Sequence, residues 1–144
     1  MSKIKKEKEN ELEIYVDGAC RGNPGPGAWA FILVNQNGQR IHDGTGFIGN
    51  TTNNIAEYTA IVNSLRVAKK FTNSKIKVFS DSQLVIKQLN KKFKITKPHL
   101  LELYKKVLEL RKEFASVEFI QVSRNHPKIE ICDALCNKHL NKLQ

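Results

Sequence analysis

The stretch LEIYVDGACRGNPGPGAWAFILVNQNG (Leu12–Gly38) decides how the rest of the chain is read. Leu12–Val16 is an apolar, β-favouring run that stops at Asp17-Gly18, so it reads as a strand closed by a turn pair. Ala28–Val34 (AWAFILV) is a second strand, and Asn35-Gln36-Asn37-Gly38 behind it carries an Asn-Gly hairpin signal. Arg40 to Gly49 completes the group. Three strands with short connections predict an antiparallel meander.

From Asn53 onward the period changes. Ile55, Tyr58, Ile61, Val62, Leu65 and Ala68 recur at three and four, which predicts an amphipathic helix ending near Phe71. Lys75–Phe79 is a short strand, followed by helices over Ser82–Asn90 and Pro98–Phe114, the latter with Pro98 in the first turn. Val117–Val122 is the last strand and Ile129–Leu140 the last helix. Strands separated by helices pair in parallel through right-handed crossovers, whereas the opening meander pairs antiparallel. The element order βββ-α-β-α-α-β-α therefore predicts an α/β fold built on one mixed sheet.

Two of these strands end in an acid, IYVD at Asp17 and VFSD at Asp81. Ligands of open α/β sheets gather outside the carboxyl ends of the strands, at a topological switch point. If the two strands are neighbours, their carboxylates face one another there and repel unless a cation or a shared proton intervenes. All-oxygen ligands favour a hard cation such as Mg²⁺ or Mn²⁺. Each acid also has a local explanation. Asp17 suits a turn, Asp81 a helix N-cap, and Glu57 and Asp133 the first turns of helices, where negative charge complements the dipole. Spacing alone does not assemble the four.

Bulk properties narrow the setting. A chain of 144 residues, 40% hydrophobic and 26% charged, suits one globular domain. The expected division is a flexible basic tail over residues 1–10 and a single domain over residues 11–144. No apolar run approaches the roughly 18–20 residues of a membrane span, and the polar start MSKIKKEKENELE is no secretory signal. The expectation is a cytoplasmic monomer with no membrane partner. Lys and Arg total 24 against 14 acids, a net charge of +10 that favours polyanions, nucleic acid first. The three cysteines, Cys20, Cys132 and Cys136, lack paired zinc spacing, and Cys132 and Cys136 read as small apolar packing residues.

Four segments then carry a resemblance. DGACRGNPGPGAWAFIL (Asp17–Leu33) closely resembles the opening of type 1 ribonucleases H. TTNNIAEYTAIVNSL (Thr51–Leu65) is similar to that family's Thr-Asn-Asn-x-x-Glu helix start, FSDSQLVI (Phe79–Ile86) to its Asp-Ser-Gln segment, and CDALCNK (Cys132–Lys138) to its Ala-Asp-x-Leu-Ala ending. In order and in register, they span Leu12 to Leu140. The resemblance implies the ribonuclease H-like fold: a five-stranded mixed sheet, three strands antiparallel and two parallel, with helices on both faces. It also implies an endonuclease that hydrolyses the RNA strand of RNA–DNA hybrids and leaves 5′-phosphate and 3′-hydroxyl ends.

By the same resemblance, Asp17, Glu57, Asp81 and Asp133 are the catalytic carboxylates and bind two Mg²⁺ or Mn²⁺ ions, with Asp17 bridging. The ions, roughly 3.5–4 Å apart, would activate a water and stabilise the leaving oxygen. Cys20, Asn54 and Gln83 match positions that contact the RNA strand, where a ribose 2′-hydroxyl distinguishes RNA from DNA. Asn23 and Thr52 match a pocket for a DNA phosphate. KQLNKKFKITK (Lys87–Lys97) holds five lysines and no acid around Phe93, a composition suited to backbone contact and stacking. Lys87, Lys91, Lys92 and Lys94 are the expected contacts. The connection to Pro98 is short, as in retroviral and archaeal forms that lack a long basic protrusion.

The clearest departure from the family is VSRNHPKIEICD (Val122–Asp133), where relatives carry a mobile His or an Arg that assists turnover. His126 is favoured for that auxiliary role, with Arg124 the alternative. Two other readings compete with the main one. The first is a hybrid- or duplex-RNA-binding module without catalysis, against which all four acids stand. The second is a transposase-, integrase- or resolvase-like nuclease, which the Thr-Asn-Asn and Asp-Ser-Gln segments fit less well. Double-stranded RNA as a further substrate is left open.

Overall fold

The computed structural model describes residues 10–142. The tail expected at residues 1–10 lies outside the described residues except for Asn10, whose carbonyl accepts from Thr72 Oγ1 at 2.6 Å. Among the described residues, five strands and four helices follow in the expected order. They are β1 (Leu12–Cys20), β2 (Gly25–Val34), β3 (Arg40–Thr51), α1 (Asn53–Ala68), β4 (Lys75–Ser80), α2 (Gln83–Leu89), α3 (Pro98–Arg111), β5 (Ser116–Gln121) and α4 (Pro127–Asn141). The sheet runs β3-β2-β1-β4-β5. β1–β2 and β2–β3 pair antiparallel, β1–β4 and β4–β5 parallel, which is the mixed sheet the sequence implied.

Side chains alternate across the pleat and fill two separate cores. On one face Ile14, Val16, Phe31, Leu33, Ile76 and Val78 pack beneath α1, α2 and α3. On the other, Tyr15, Ala30, Ile32 and Val34 meet Ile129, Cys132, Cys136 and Leu140 of α4 alone. Burying a Leu or Ile side chain contributes roughly 1.5–3 kcal/mol. One helix with four inward residues is thus enough to cover its side. Cys132 and Cys136 are free, buried thiols that serve as small packing groups there. Among the described residues no helix is long and apolar enough to cross a membrane.

One departure from expectation matters for function. The first strand does not stop at Asp17-Gly18. Its ladder with β2 continues through Cys20 opposite Gly27, and this long-range pairing overrides the local turn signal. The parallel ladder with β4, by contrast, ends at Tyr15 opposite Phe79. β1 and β4 therefore part company just before Asp17 and Asp81. The chain leaves β1 toward one edge of the sheet and leaves β4 toward the other, so a crevice opens between them.

Candidate active site

Asp17 sits inside β1, where its strand still pairs with β2 but has lost β4. Asp81 follows the last residue of β4, and the N-cap of α2 is Ser82, whose Oγ accepts from Val85 N at 3.3 Å. Neither acid thus has the turn or capping role its local sequence suggested. Glu57 lies in the second turn of α1 and is buried against the strand ends, 4% exposed, so dipole compensation at a solvated helix start does not account for it.

One carboxylate oxygen from each of Asp17, Glu57 and Asp81 lies within 4.8 Å of the others. Asp133 is exposed on α4 and lines the same cleft, outside that tight group. Its Oδ2 accepts from Asn137 Nδ2 at 3.2 Å, and Asn137 Oδ1 in turn accepts from Arg21 at 3.2 Å. The cleft, about 460 Å³, is also lined by Cys20, Asn54, Ser82, Arg124 and Glu130.

Packing these acids together strains their ionisation. Burial is the main reason that Asp17 is pushed well above the usual carboxylate range, with repulsion from Glu57, Asp81 and Asp133 adding to it. Glu57 is raised mainly by burial, opposed by the hydroxyl of Ser80 and the amide of Gly18. Asp81 rises for the same first reason, offset in part by the charge of Arg124. Negative charge gathered in this way is costly to keep without a compensating cation. Hard oxygen donors converging from three elements fit a divalent ion, which would neutralise the repulsion that the fold imposes.

The predicted substrate contacts fall in several places. Cys20 and Asn54 line the cleft. Asn23, in the loop after β1, accepts from Asn53 N at 2.9 Å through Oδ1 and so ties that loop to the start of α1. Thr52 caps α1 by accepting from Ile55 N at 3.3 Å, which leaves its hydroxyl proton for another acceptor. Gln83 is exposed at the first turn of α2 and is not among the cleft-lining residues. Lys91, Lys92 and Lys94 border a separate hollow with Phe93, Leu101 and Tyr104, while Lys87 Nζ stands 5.2 Å from the Phe93 ring centre.

His126 is not among the residues that line the cleft. It caps α4, its Nδ1 accepting from Lys128 N at 3.1 Å, and its ring centre lies 5.1 Å from that of Tyr15. Arg124 and Asn125 line the cleft instead. Sequence reasoning also passed over Gly18, Ser80, Asn137 and Glu130. Gly18 and Ser80 lay within the quoted motifs, but what they do depends on residues across the fold.

Comparison with known proteins agrees with this geometry. Residues 15–139 match the family model described as Reverse transcriptase-like. Ribonuclease HI of Halobacterium salinarum is 36% identical over 138 residues, covering 96% of this chain and 68% of that protein. Ribonuclease H of Campylobacter jejuni is 34% identical over 141 residues, covering 92% of each. Among solved structures, RNase H1 from Halobacterium salinarum superposes with a TM-score of 0.86 at 37% identity, covering 92% of this chain and 98% of that one. LC11-RNase H1 in complex with RNA/DNA hybrid gives 0.85 at 30% identity, with the same coverage. Matched in sequence and in fold across nearly its whole length, the chain belongs to the ribonuclease H1 family.

Proposed function

We infer that this protein is a metal-dependent endonuclease that hydrolyses the RNA strand of RNA–DNA hybrids. The observation that carries the reading is the convergence of Asp17, Glu57 and Asp81 within 4.8 Å at the divergence of β1 and β4. Asp133, across the cleft, supplies a fourth carboxylate from a helix rather than the sheet.

Asp17, Glu57, Asp81 and Asp133 would hold two divalent ions, Mg²⁺ or Mn²⁺. When bound there, such ions supply Lewis-acid charge that activates a water for in-line attack and offsets charge on the leaving 3′-oxygen. In that hydrolysis the water would give up a proton as its oxygen bonds to phosphorus, the P–O3′ bond would break, and the 3′-oxygen would take up a proton. The products are a 5′-phosphate and a 3′-hydroxyl.

The protein's own groups choose the strand. Cys20, Asn54 and Gln83 are assigned to the RNA strand, where a group that detects the 2′-hydroxyl separates ribose from deoxyribose. Asn23 and Thr52 are assigned to a phosphate of the DNA strand, supported by the Asn23–Asn53 bond that ties their two loops together. Lys87, Lys91, Lys92 and Lys94, with Phe93 exposed among them, are assigned to backbone contact on the flank of the duplex. Because one chain contributes all four acids, we assign the working unit as a monomer, acting in the cytoplasm.

A panel of RNA–DNA hybrid, double-stranded RNA and double-stranded DNA, run with Mg²⁺, Mn²⁺ or EDTA, tests this reading. Cleavage of the hybrid's RNA strand in either metal, abolished by EDTA and by Asp17→Asn, is expected. Hybrid binding without cleavage by the wild-type protein in both metals would instead identify a binding module. Preferential cutting of DNA would point to a transposase-like nuclease.

A further inference from the structure

Ser80 closes β4 with a side chain that is fully buried, 0% exposed. Its hydroxyl donates to Glu57 Oε2, and its oxygen accepts from Ser82 N at 3.0 Å. The two uses are compatible, since a hydroxyl carries one proton and two lone pairs. The other Glu57 oxygen accepts from Gly18 N at 3.0 Å. Glu57 is thus gripped by donors from two different strands.

We propose that Ser80 is a positioning residue for the metal site, its single hydroxyl orienting Glu57 directly and Asp81 through the turn it closes. Asp81 lies between Ser80 and Ser82, so the Ser82 N–Ser80 Oγ bond bends the chain around it and sets the direction in which its side chain leaves β4. Glu57 comes from α1 and would otherwise sample several rotamers; two donors remove that freedom before a cation arrives. Each carboxylate oxygen has a second lone-pair position, so the grip leaves acceptor sites open for metal. Ser80 is absent from the residues lining the cleft, and its influence passes through the two acids. Groups that orient metal ligands in this way typically change affinity or activity by roughly 10–100-fold when removed.

The proposal rests on the carboxylate-site reading, so the experiment separates the two. Mn²⁺ affinity by isothermal titration calorimetry, hybrid cleavage and Tm are measured for the full chain and for S80A, S80T, S80C, E57Q and S80A/E57Q. S80A is expected to weaken Mn²⁺ binding and lower kcat on the order of tenfold with little change in KM. S80T, which keeps the hydroxyl, restores both. S80A costs less in the E57Q background than in the wild type, because the part of its effect that Glu57 transmits is already lost and only the part through Asp81 remains. Should S80A fail to fold, S80C, close in shape and a poor donor, carries the same expectation.

Unchanged Mn²⁺ affinity in S80A or S80C, or an equal loss with and without Glu57, overturns the proposal and leaves Ser80 a packing residue. If E57Q itself binds Mn²⁺ as the wild type does, the carboxylate-site reading falls, and the role of Ser80 with it.

Discussion

Gly18 N donates a 3.0 Å hydrogen bond to Glu57 Oε1, and β1 approaches α1 so closely that a Cβ on Gly18 would lie 2.5 Å from both Ala56 C and Glu57 N. The obstruction is backbone on both counts and cannot swing aside. Gly18→Ala therefore has to separate the strand from the helix and carry Glu57 away from Asp17. The expected result is a loss of about 1–3 kcal/mol in unfolding free energy, as for other overpacked sites. Hybrid cleavage should fall at least about tenfold, in the range seen when groups that orient metal ligands are lost. Denaturant unfolding and a cleavage assay check the two parts. Full activity with normal stability would show that the contact is not needed.

The crowded acids make metal-free stability depend on pH. Asp17, Glu57 and Asp81 have native pKa values raised above the unfolded range of about 4, so the native state holds protons that the unfolded state has released. Their contribution is complete below that range and is lost as pH rises through the raised native values. In EDTA, Tm should fall from pH 5 toward pH 8 more steeply for wild type than for Asp17→Asn. At pH 8 the variant should be the more stable by about 1–2 kcal/mol, which corresponds to several degrees in a domain of this size. Mn²⁺ should raise the wild-type Tm and do little for the variant. Parallel melting curves decide it.

Asp133 differs from the other three acids in being held at the surface. Asn137 donates to its Oδ2 at 3.2 Å and is itself steadied by Arg21. Asn137→Ala should raise the Mg²⁺ concentration needed for half-maximal cleavage by about threefold to tenfold, toward the lower end for lost outer partners of metal ligands. Stability should stay within about 0.5 kcal/mol, as for other surface changes. Asn137→Asp, which sets a second charge beside Asp133, should produce a larger rise. A Mg²⁺ titration of cleavage rate tests the pair.

The loop before α4 offers two candidates for assisting turnover, and they should behave differently. His126→Ala removes an N-cap and should cost about 1 kcal/mol of stability. Arg124→Ala should lower turnover with little effect on Tm, because Arg124 lines the cleft and its charge acts on Asp81. Single-turnover rates alongside melting curves separate the roles. A turnover defect confined to His126→Ala would assign the auxiliary function to that residue.

Replacing Lys91, Lys92 and Lys94 together by Ala should raise KM for hybrid while leaving kcat within about twofold, since uniform binding is lost rather than transition-state stabilisation. The dependence of log affinity on log salt should flatten by about one unit for each phosphate contact removed. An unchanged salt slope would place the duplex elsewhere on the surface.

Much of this protein was legible along the chain. The apolar, β-favouring run Leu12–Val16 and the period of three and four in Ile55–Ala68 are local signals, and the element order follows from such signals. The four acids stood out through the motifs in which they are set. Asp17-Gly18 misled as a turn, because the pair has turn composition and only the register with β2 shows that the strand runs on to Cys20. Ser80 gave no signal, because a serine before an acid is ordinary until Glu57 of another element is known to lie against it.

The sequence by itself determined which segments are strands and helices, that the chain is basic, and which oxygen-bearing side chains were available. All of these depend on residue type and near-neighbour spacing. Tertiary structure alone decided that β1 and β4 separate just before their acids, that Asp17, Glu57 and Asp81 meet within 4.8 Å while Asp133 stays at the rim, and that His126 caps a helix. Those outcomes depend on ladder register and on helix–sheet packing between residues far apart along the chain, where no local pattern records which side chains will meet.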